Sequence, residues 1–171
     1  MPLLSRPAPA TAKIATAAAL RRTVRRLQAR GGRVVFTNGC FDLLHPGHVK
    51  VLERARALGD ALIVGINSDR SVRRLSKGPG RPVADERDRA VVLAAFACVD
   101  YVTIFDATTP QRLVQQLRPD ILVKGADWGA TSIIGSDTVL ARGGRVVRVP
   151  LLKGHSTTRI IERIKRSGCC G

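Results

Sequence analysis

Short β-branched runs alternate with longer amphipathic stretches along this chain, which predicts an α/β fold: a Rossmann-like three-layer sandwich with a five-stranded parallel sheet. Two further observations agree. The candidate strands are continuous apolar runs of three to five residues, as strands buried on both faces require. The chain's 171 residues at 44% hydrophobic content are enough for one core without disulfides or metal.

Taken in order, residues 1–12 are proline-punctuated and expected to form a disordered N-terminal tail, ahead of a single domain over 13–166 and a frayed C-terminal tail over 167–171. Thr16 can cap a helix whose Leu20, Val24 and Leu27 fall on one stripe opposite Arg21, Arg22, Arg25 and Arg26. Gly31-Gly32 stop that helix directly before the first strand. Strands are expected at Val34–Thr37, Leu62–Ile66, Tyr101–Ile104, Ile121–Val123 and Val146–Val149. Helical spacing or helix starts occupy Gly47–Leu58, Glu86–Phe96, Pro110–Leu117, a piece near Ser136–Arg142, and Ser156–Arg166. In such sheets ligands lie beyond the carboxyl ends of the strands, where the strand order reverses. The segments that follow strand ends are Asn38–His48, Asn67–Arg81 and Lys124–Ile133.

Charge narrows the partners. The formal net charge is +16, from 29 Lys and Arg against 13 Asp and Glu, and no acidic residue precedes Asp42. An anionic ligand is implied, and a nucleoside triphosphate or a sugar phosphate fits a basic cleft. A specific nucleic-acid partner is not expected: aromatic content is 4%, no nucleic-acid-binding motif is present, and the arginines are spread along the chain. Cys40, Cys98, Cys169 and Cys170 lack zinc-site spacing and the setting of a secreted disulfide scaffold, which points to a reducing cytoplasm. The Ala- and Arg-rich start is similar in composition to an organellar transit peptide, but its stripe reads as an amphipathic helix of the domain. No apolar run approaches the roughly 20 residues of a membrane span, so no membrane partner is expected.

The most informative segment is Arg33-Val34-Val35-Phe36-Thr37-Asn38-Gly39-Cys40-Phe41-Asp42-Leu43-Leu44-His45-Pro46-Gly47-His48. A buried strand feeds a turn and then a helix start. Pro46 sets the helical φ and Gly47 removes a side chain, so backbone N–H groups and both imidazoles can approach one anion at the positive helix end. Near the end, Ser156-Thr157-Thr158 before Ile160, Ile161 and Ile164 reads as a second helix start with hydroxyl caps. Neither a Gly-x-Gly-x-x-Gly turn nor a P-loop follows a strand, which sets aside dinucleotide oxidoreductases and P-loop ATPases.

Thr37-Asn38-Gly39-Cys40-Phe41-Asp42 followed by His45-Pro46-Gly47-His48 resembles the signature of the His-x-Gly-His nucleotidyltransferase superfamily. Further matching segments, in order from about Lys13 to Lys165, are Asn67-Ser68-Asp69, Gly80-Arg81-Pro82-Val83, Val123-Lys124-Gly125-Ala126-Asp127, Gly143-Gly144 and Ser156-Thr157-Thr158. Within that superfamily the chain most resembles the adenylyltransferase domains that make ADP-heptose. The resemblance implies catalytic roles for His45, His48 and Lys77. It implies nucleotide binding by Thr37, Asn38, Gly39, Cys40, Phe41, Gly47, Lys124, Gly125, Asp127, Ser156, Thr157 and Thr158, and substrate binding by Asp42, Asn67, Asp69, Arg81 and Arg89. Two positions depart from the pattern: His155 stands where cysteine is common, and Trp128 is similar to the glycerol-phosphate cytidylyltransferases rather than to the heptose subgroup.

The implied reaction is transfer of AMP from ATP to D-glycero-β-D-manno-heptose 1-phosphate, giving ADP-heptose and pyrophosphate for lipopolysaccharide. ATP is the nucleotide substrate. Magnesium is expected to be bound mainly through substrate phosphates, because no carboxylate cluster has the spacing of a protein-built site. The resemblance also implies a cytoplasmic enzyme, a homodimer, and a separately encoded sugar kinase in the same pathway. Two alternatives stay open: a cytidylyltransferase acting on glycerol 3-phosphate or another small phosphate, and a non-catalytic basic module that binds nucleotide or nucleic acid.

Overall fold

The computed structural model of the chain describes residues 8–75, 78, 80–125 and 133–168. A parallel sheet of five strands carries helices on both faces, as expected. The strands are β1 (Val34–Gly39), β2 (Ala61–Asn67), β3 (Tyr101–Phe105), β4 (Ile121–Gly125) and β5 (Arg145–Val149), in spatial order β3-β2-β1-β4-β5. The helices are α1 (Ala17–Ala29), α2 (Pro46–Arg56), α3 (Asp69–Arg74), α4 (Glu86–Ala94), α5 (Gln111–Leu117), α6 (Ser136–Leu140) and α7 (Thr157–Arg166).

Alternation along the central strand divides the core. Val34 and Phe36 join Leu20, Val24, Ile63, Val114, Leu117 and Leu122 beneath α1 and α5. Val35 joins Leu52, Leu62, Val64, Leu93 and Val102 beneath α2 and α4. Successive side chains of a strand point to opposite faces, so one continuous apolar run serves both layers.

Three aspartates register the sheet at its amino-terminal edge. Asp60, Asp100 and Asp120 stand one residue before β2, β3 and β4, and each clasps a neighbouring chain segment twice. Their N–H groups donate to the carbonyls of Arg33, Leu62 and Val34 at 2.8, 3.1 and 2.9 Å. Their carboxylates accept from the N–H groups of the same three residues at 2.7, 2.8 and 2.8 Å. First-strand donors that would otherwise go unpaired are satisfied, and a slip in register would break two bonds at each clasp.

Two elements differ from the expectation. Residues 10–12, expected in the tail, belong to a 3-10 turn over Ala10–Lys13, whose Lys13 ammonium donates to the carbonyls of Val99 (2.8 Å) and Phe96 (3.2 Å). Ile14 then bridges in parallel to Val102 on β3. The Asn67-Ser68-Asp69 segment opens α3, with the Ser68 hydroxyl accepting from the Ser71 N–H at 3.1 Å. Thr16 caps α1 as read, its hydroxyl accepting from Ala19 N–H. Ser167 and Gly168 close α7, and Cys169 and Cys170 lie outside the described residues.

The chain winds outward from β1 in one direction through β2 and β3, and in the other through β4 and β5. The order therefore reverses between β1 and β4, and their carboxyl ends flank a single crevice. Lys124 on β4 spans it, its ammonium donating to the carbonyl of Asn38 at 3.3 Å and to the Asn38 side-chain oxygen.

Candidate active site

β1 ends at Gly39 and the chain turns sharply through Phe41, which holds a left-handed φ of 46°. The Phe41 ring lies 5.2 Å from that of His48 at a tilt of 51°. His45 is the extended residue ahead of α2, Pro46 occupies the first helical position, and the His48 N–H donates to the His45 carbonyl at 2.9 Å. The imidazoles of His45 and His48 consequently stack, with centroids 3.9 Å apart and a tilt of 31°.

Gly47 makes this pairing possible. A Cβ there would sit 2.9 Å from two atoms of the His45 ring. The Nδ1 atoms of both imidazoles are buried, with no partner among the described residues. Burial, then the neighbouring His45, pushes the His48 pKa down to about 4. Burial, then His155, lowers that of His45. At neutral pH the pair is uncharged, each ring holding one N–H donor beside the amino end of α2.

The amino end of α7 faces the same space. Ser156 caps that helix through Arg159 N–H, and the Thr157 hydroxyl donates to the carbonyl of Leu43 at 3.1 Å, tying α7 to the histidine turn. Between the two helix ends is a cavity of about 540 Å³. Of the residues singled out in the sequence, Thr37, Asn38, Gly39, Cys40, Phe41, Asp42, His45, Gly47, His48, Arg81, Gly125, Ser156, Thr157 and Thr158 line it. Preorganised N–H and O–H donors around a low-dielectric space suit an anionic ligand such as a polyphosphate.

The remaining residues lie in or below the wall. Arg89, 2% exposed, donates to the carbonyls of Ala84 (3.0 Å), Cys40 (2.5 Å) and Asn67 (2.9 Å) and to the Asp69 carboxylate (2.6 Å). It thereby locks the histidine turn, the end of β2 and the start of α3 to the start of α4. Asn67 donates to the Ser71 hydroxyl at 2.9 Å, and Lys124 is held against Asn38. Asn67, Asp69, Arg89 and Lys124 thus act within the protein scaffold of the cavity. Asp42 lines the cavity, yet both of its oxygens are engaged: Oδ2 by Arg81 Nε at 2.5 Å, Oδ1 by the N–H groups of Val83 (2.8 Å) and Ala84 (3.1 Å).

Lys77, Asp127 and Trp128 lie outside the described residues. His155, noted in the sequence as a departure from the family pattern, also lines it, and Val51, Leu151 and Leu152 complete the lining without a sequence signal of their own. Among the described residues no three ligating side chains gather to hold a metal ion.

Comparison with known proteins agrees with this geometry. Residues 36–163 match the family described as Cytidylyltransferase-like. The chain is 55% identical over 152 residues to the bifunctional protein HldE of Syntrophotalea carbinolica, covering 89% of this chain and 31% of that protein. It is 57% identical over 140 residues to the bifunctional protein HldE of Hyphomonas neptunium, covering 82% and 29%. The chain thus spans about a third of the length of these curated relatives. Among solved structures, the lipopolysaccharide core biosynthesis protein from Thermoplasma volcanium is 27% identical with a TM-score of 0.60, covering 73% of this chain and all of that one. With its signature histidines on one cavity wall and the family match running across three quarters of its length, the chain belongs to the cytidylyltransferase-like family.

Proposed function

We propose that this chain transfers AMP from ATP to D-glycero-β-D-manno-heptose 1-phosphate, releasing pyrophosphate and forming ADP-heptose. The observation that carries nucleotidyl transfer is the stacked, neutral His45–His48 pair at the amino end of α2, facing the hydroxyl-bearing start of α7 across one cavity. The heptose acceptor is supported by the resemblance of the motifs to ADP-heptose-forming domains, by the relatives named bifunctional protein HldE, and by the structural neighbour named for lipopolysaccharide core biosynthesis.

A phosphate oxygen of the sugar phosphate attacks the α-phosphorus in line, one P–O bond forms, and the bridging bond to the β-phosphate breaks. The nucleophile is already an anion, so the protein's task is positioning and donation to developing charge rather than proton abstraction. His45 and His48 donate to the triphosphate, and the helix ends of α2 and α7 place positive dipole ends on either side of it. A polyanion beside the two rings favours their protonated forms, strengthening both donors as charge builds. Lys77 adds an ammonium to the outgoing pyrophosphate; the support for this is its place in the basic Gly-Pro-Gly segment ahead of Arg81. A magnesium ion accompanying the triphosphate would neutralise phosphate charge and would take its ligands mainly from the substrate phosphates.

A separately encoded sugar kinase in the same pathway, a homodimeric state and a cytoplasmic setting complete the reading. No helix among the described residues is long and apolar enough to cross a membrane. Pyrophosphate release measured with ATP, CTP and GTP against heptose 1-phosphate and glycerol 3-phosphate tests the proposal. Turnover confined to CTP and glycerol 3-phosphate would replace it with the cytidylyltransferase reading. His45→Ala and His48→Ala should each lower turnover by about 10² to 10³ with the fold intact, as loss of a transition-state donor does; unchanged turnover in either would remove the chemistry.

A further inference from the structure

α7 repeats arginine at positions 159, 163 and 166, the i, i+4, i+7 spacing of one helix face. Its first turn holds no acidic residue, and Arg159 lies in that turn, where the helix dipole disfavours a cation. The Arg159 guanidinium reaches back over the loop before the helix, with Nη1 3.3 Å from where a Cβ on Gly154 would stand. Glu162 pairs with Arg166 at 3.6 Å across an exposed helix turn.

These three arginines line a second cavity, of about 580 Å³, closed on its other side by Leu44, His45 and Pro46. No acidic side chain lines it. It shares His45, His155 and Ser156 with the first cavity, so the two spaces meet at the histidines. The His155 ring is fixed at this junction by the contact of its Nδ1 with the Lys153 carbonyl at 3.1 Å. Helix stability does not explain a cation in the first turn beside two like charges at helical spacing. A doubly or more highly charged anion in the groove does, because guanidinium forks match phosphate oxygens.

We propose that the α7 groove is a pyrophosphate-receiving site, into which the leaving group passes from the reaction cavity on its way to solvent. The inference rests on nucleotidyl transfer as the reaction, since that reaction makes pyrophosphate beside His45. The ligand is a condensed phosphate without a nucleoside, and Arg159 and Arg163 are its principal contacts. Bound ATP, whose α-phosphate stays between the two helix ends, does not depend on them.

The test compares pyrophosphate with ATP. Inorganic pyrophosphate is titrated calorimetrically into the whole protein, and its inhibition constant as a product is measured beside KM for ATP. In Arg159→Gln/Arg163→Gln, pyrophosphate affinity should fall at least tenfold and its inhibition constant rise to match, with KM for ATP within threefold. The Arg159→Lys/Arg163→Lys protein should recover most of the affinity, which separates charge from loss of the helix. Arg21→Gln/Arg25→Gln removes the same charge from α1 and should leave pyrophosphate binding within twofold. Equal weakening by the α1 and α7 changes, equal movement of the ATP and pyrophosphate constants, or no weakening in the α7 variant would each overturn the site. Failure of the underlying reaction is distinct: the unsubstituted protein would release no pyrophosphate, whatever the titration shows.

Discussion

Replacing Arg89 with methionine should cost about 4 kcal/mol of stability. The side chain is 1% exposed and makes four hydrogen bonds, three to the carbonyls of Ala84, Cys40 and Asn67 and one to the Asp69 carboxylate. Methionine keeps much of the volume and none of the donors. Breaking a buried ion pair by removing one partner typically costs about 3–5 kcal/mol. Each stranded buried acceptor adds about 1–3 kcal/mol before the loop relaxes. Relaxation is available to Asp69, whose side chain is 19% exposed, and to the loop carbonyls, so the net loss falls below that sum and stays near the ion-pair figure alone. For a domain of this size about 4 kcal/mol lowers the melting temperature by roughly 8–16 °C. With a urea m-value near the middle of the usual range, the midpoint falls by about 2 M. Urea unfolding followed by far-ultraviolet circular dichroism measures it, with Arg89→Lys recovering part of the loss because it keeps the charge and fewer donors. A loss below about 1 kcal/mol in Arg89→Met, with an unchanged m-value, would refute its role as the tie between the histidine turn, β2 and α4.

Stability should also fall on mild acidification. His48 is held at about 4 against 6.5 in the unfolded chain, so above pH 6.5 both states are neutral and its contribution is complete. As pH drops from 6.5 to 4 the unfolded chain takes up the proton first, and about 1–2 kcal/mol is lost after allowance for the ring's partial exposure; His48→Ala should show a correspondingly flatter pH–stability curve. Gly47→Ala should displace the His45 ring and reduce turnover at least tenfold with an unchanged circular dichroism spectrum, since the added Cβ would stand 2.9 Å from that ring. A fully active Gly47→Ala enzyme would show that the stacked geometry is not needed. Asp42→Asn should accelerate amide exchange at Val83 and Ala84 and cost about 2 kcal/mol, because the charged acceptor of three donors is lost; protection unchanged at both amides would contradict the anchoring role.

What the sequence made legible is what local chemistry dictates. The central strands β1, β2 and β4 were readable because burial on both faces leaves nearly continuous apolar runs, the edge strands β3 and β5 because short β-branched runs follow helical segments, and the starts of α1 and α7 because hydroxyl caps precede apolar stripes. α3 was not, since six residues with three arginines after a strand look like a turn until Ser68 is seen capping them. The 3-10 turn at Ala10–Lys13 depends on Lys13 reaching carbonyls more than eighty residues away, which no local pattern encodes. The same holds within the site. The histidines, the hydroxyls and the glycines announced themselves by type and spacing, whereas the pairing of Asp42 with Arg81 and of Arg89 with three separate loops exists only after the sheet brings them together. Leu151 and Leu152 were invisible because apolar residues outside a periodic run look the same in a cavity wall as on a surface.

None of the residues of α7 is buried, although its first turn supplies Ser156, Thr157 and Thr158 to the cavity. One wall of the site therefore belongs to the sheet and the opposite wall to an element that adds little to global stability. Such segments open and close at a small fraction of the global unfolding free energy. The measured affinity for a ligand spanning both walls is its intrinsic affinity multiplied by the fraction of molecules with α7 seated. Occupancy and seating are one linked equilibrium, in which ligand protects α7 amides from exchange without raising protection in β1 or β2. Ligand affinity at this site is thus adjustable at Ile160 and Ile161, half-buried positions on α7, by changes that alter how well the helix sits and leave the core's own resistance to unfolding as it was.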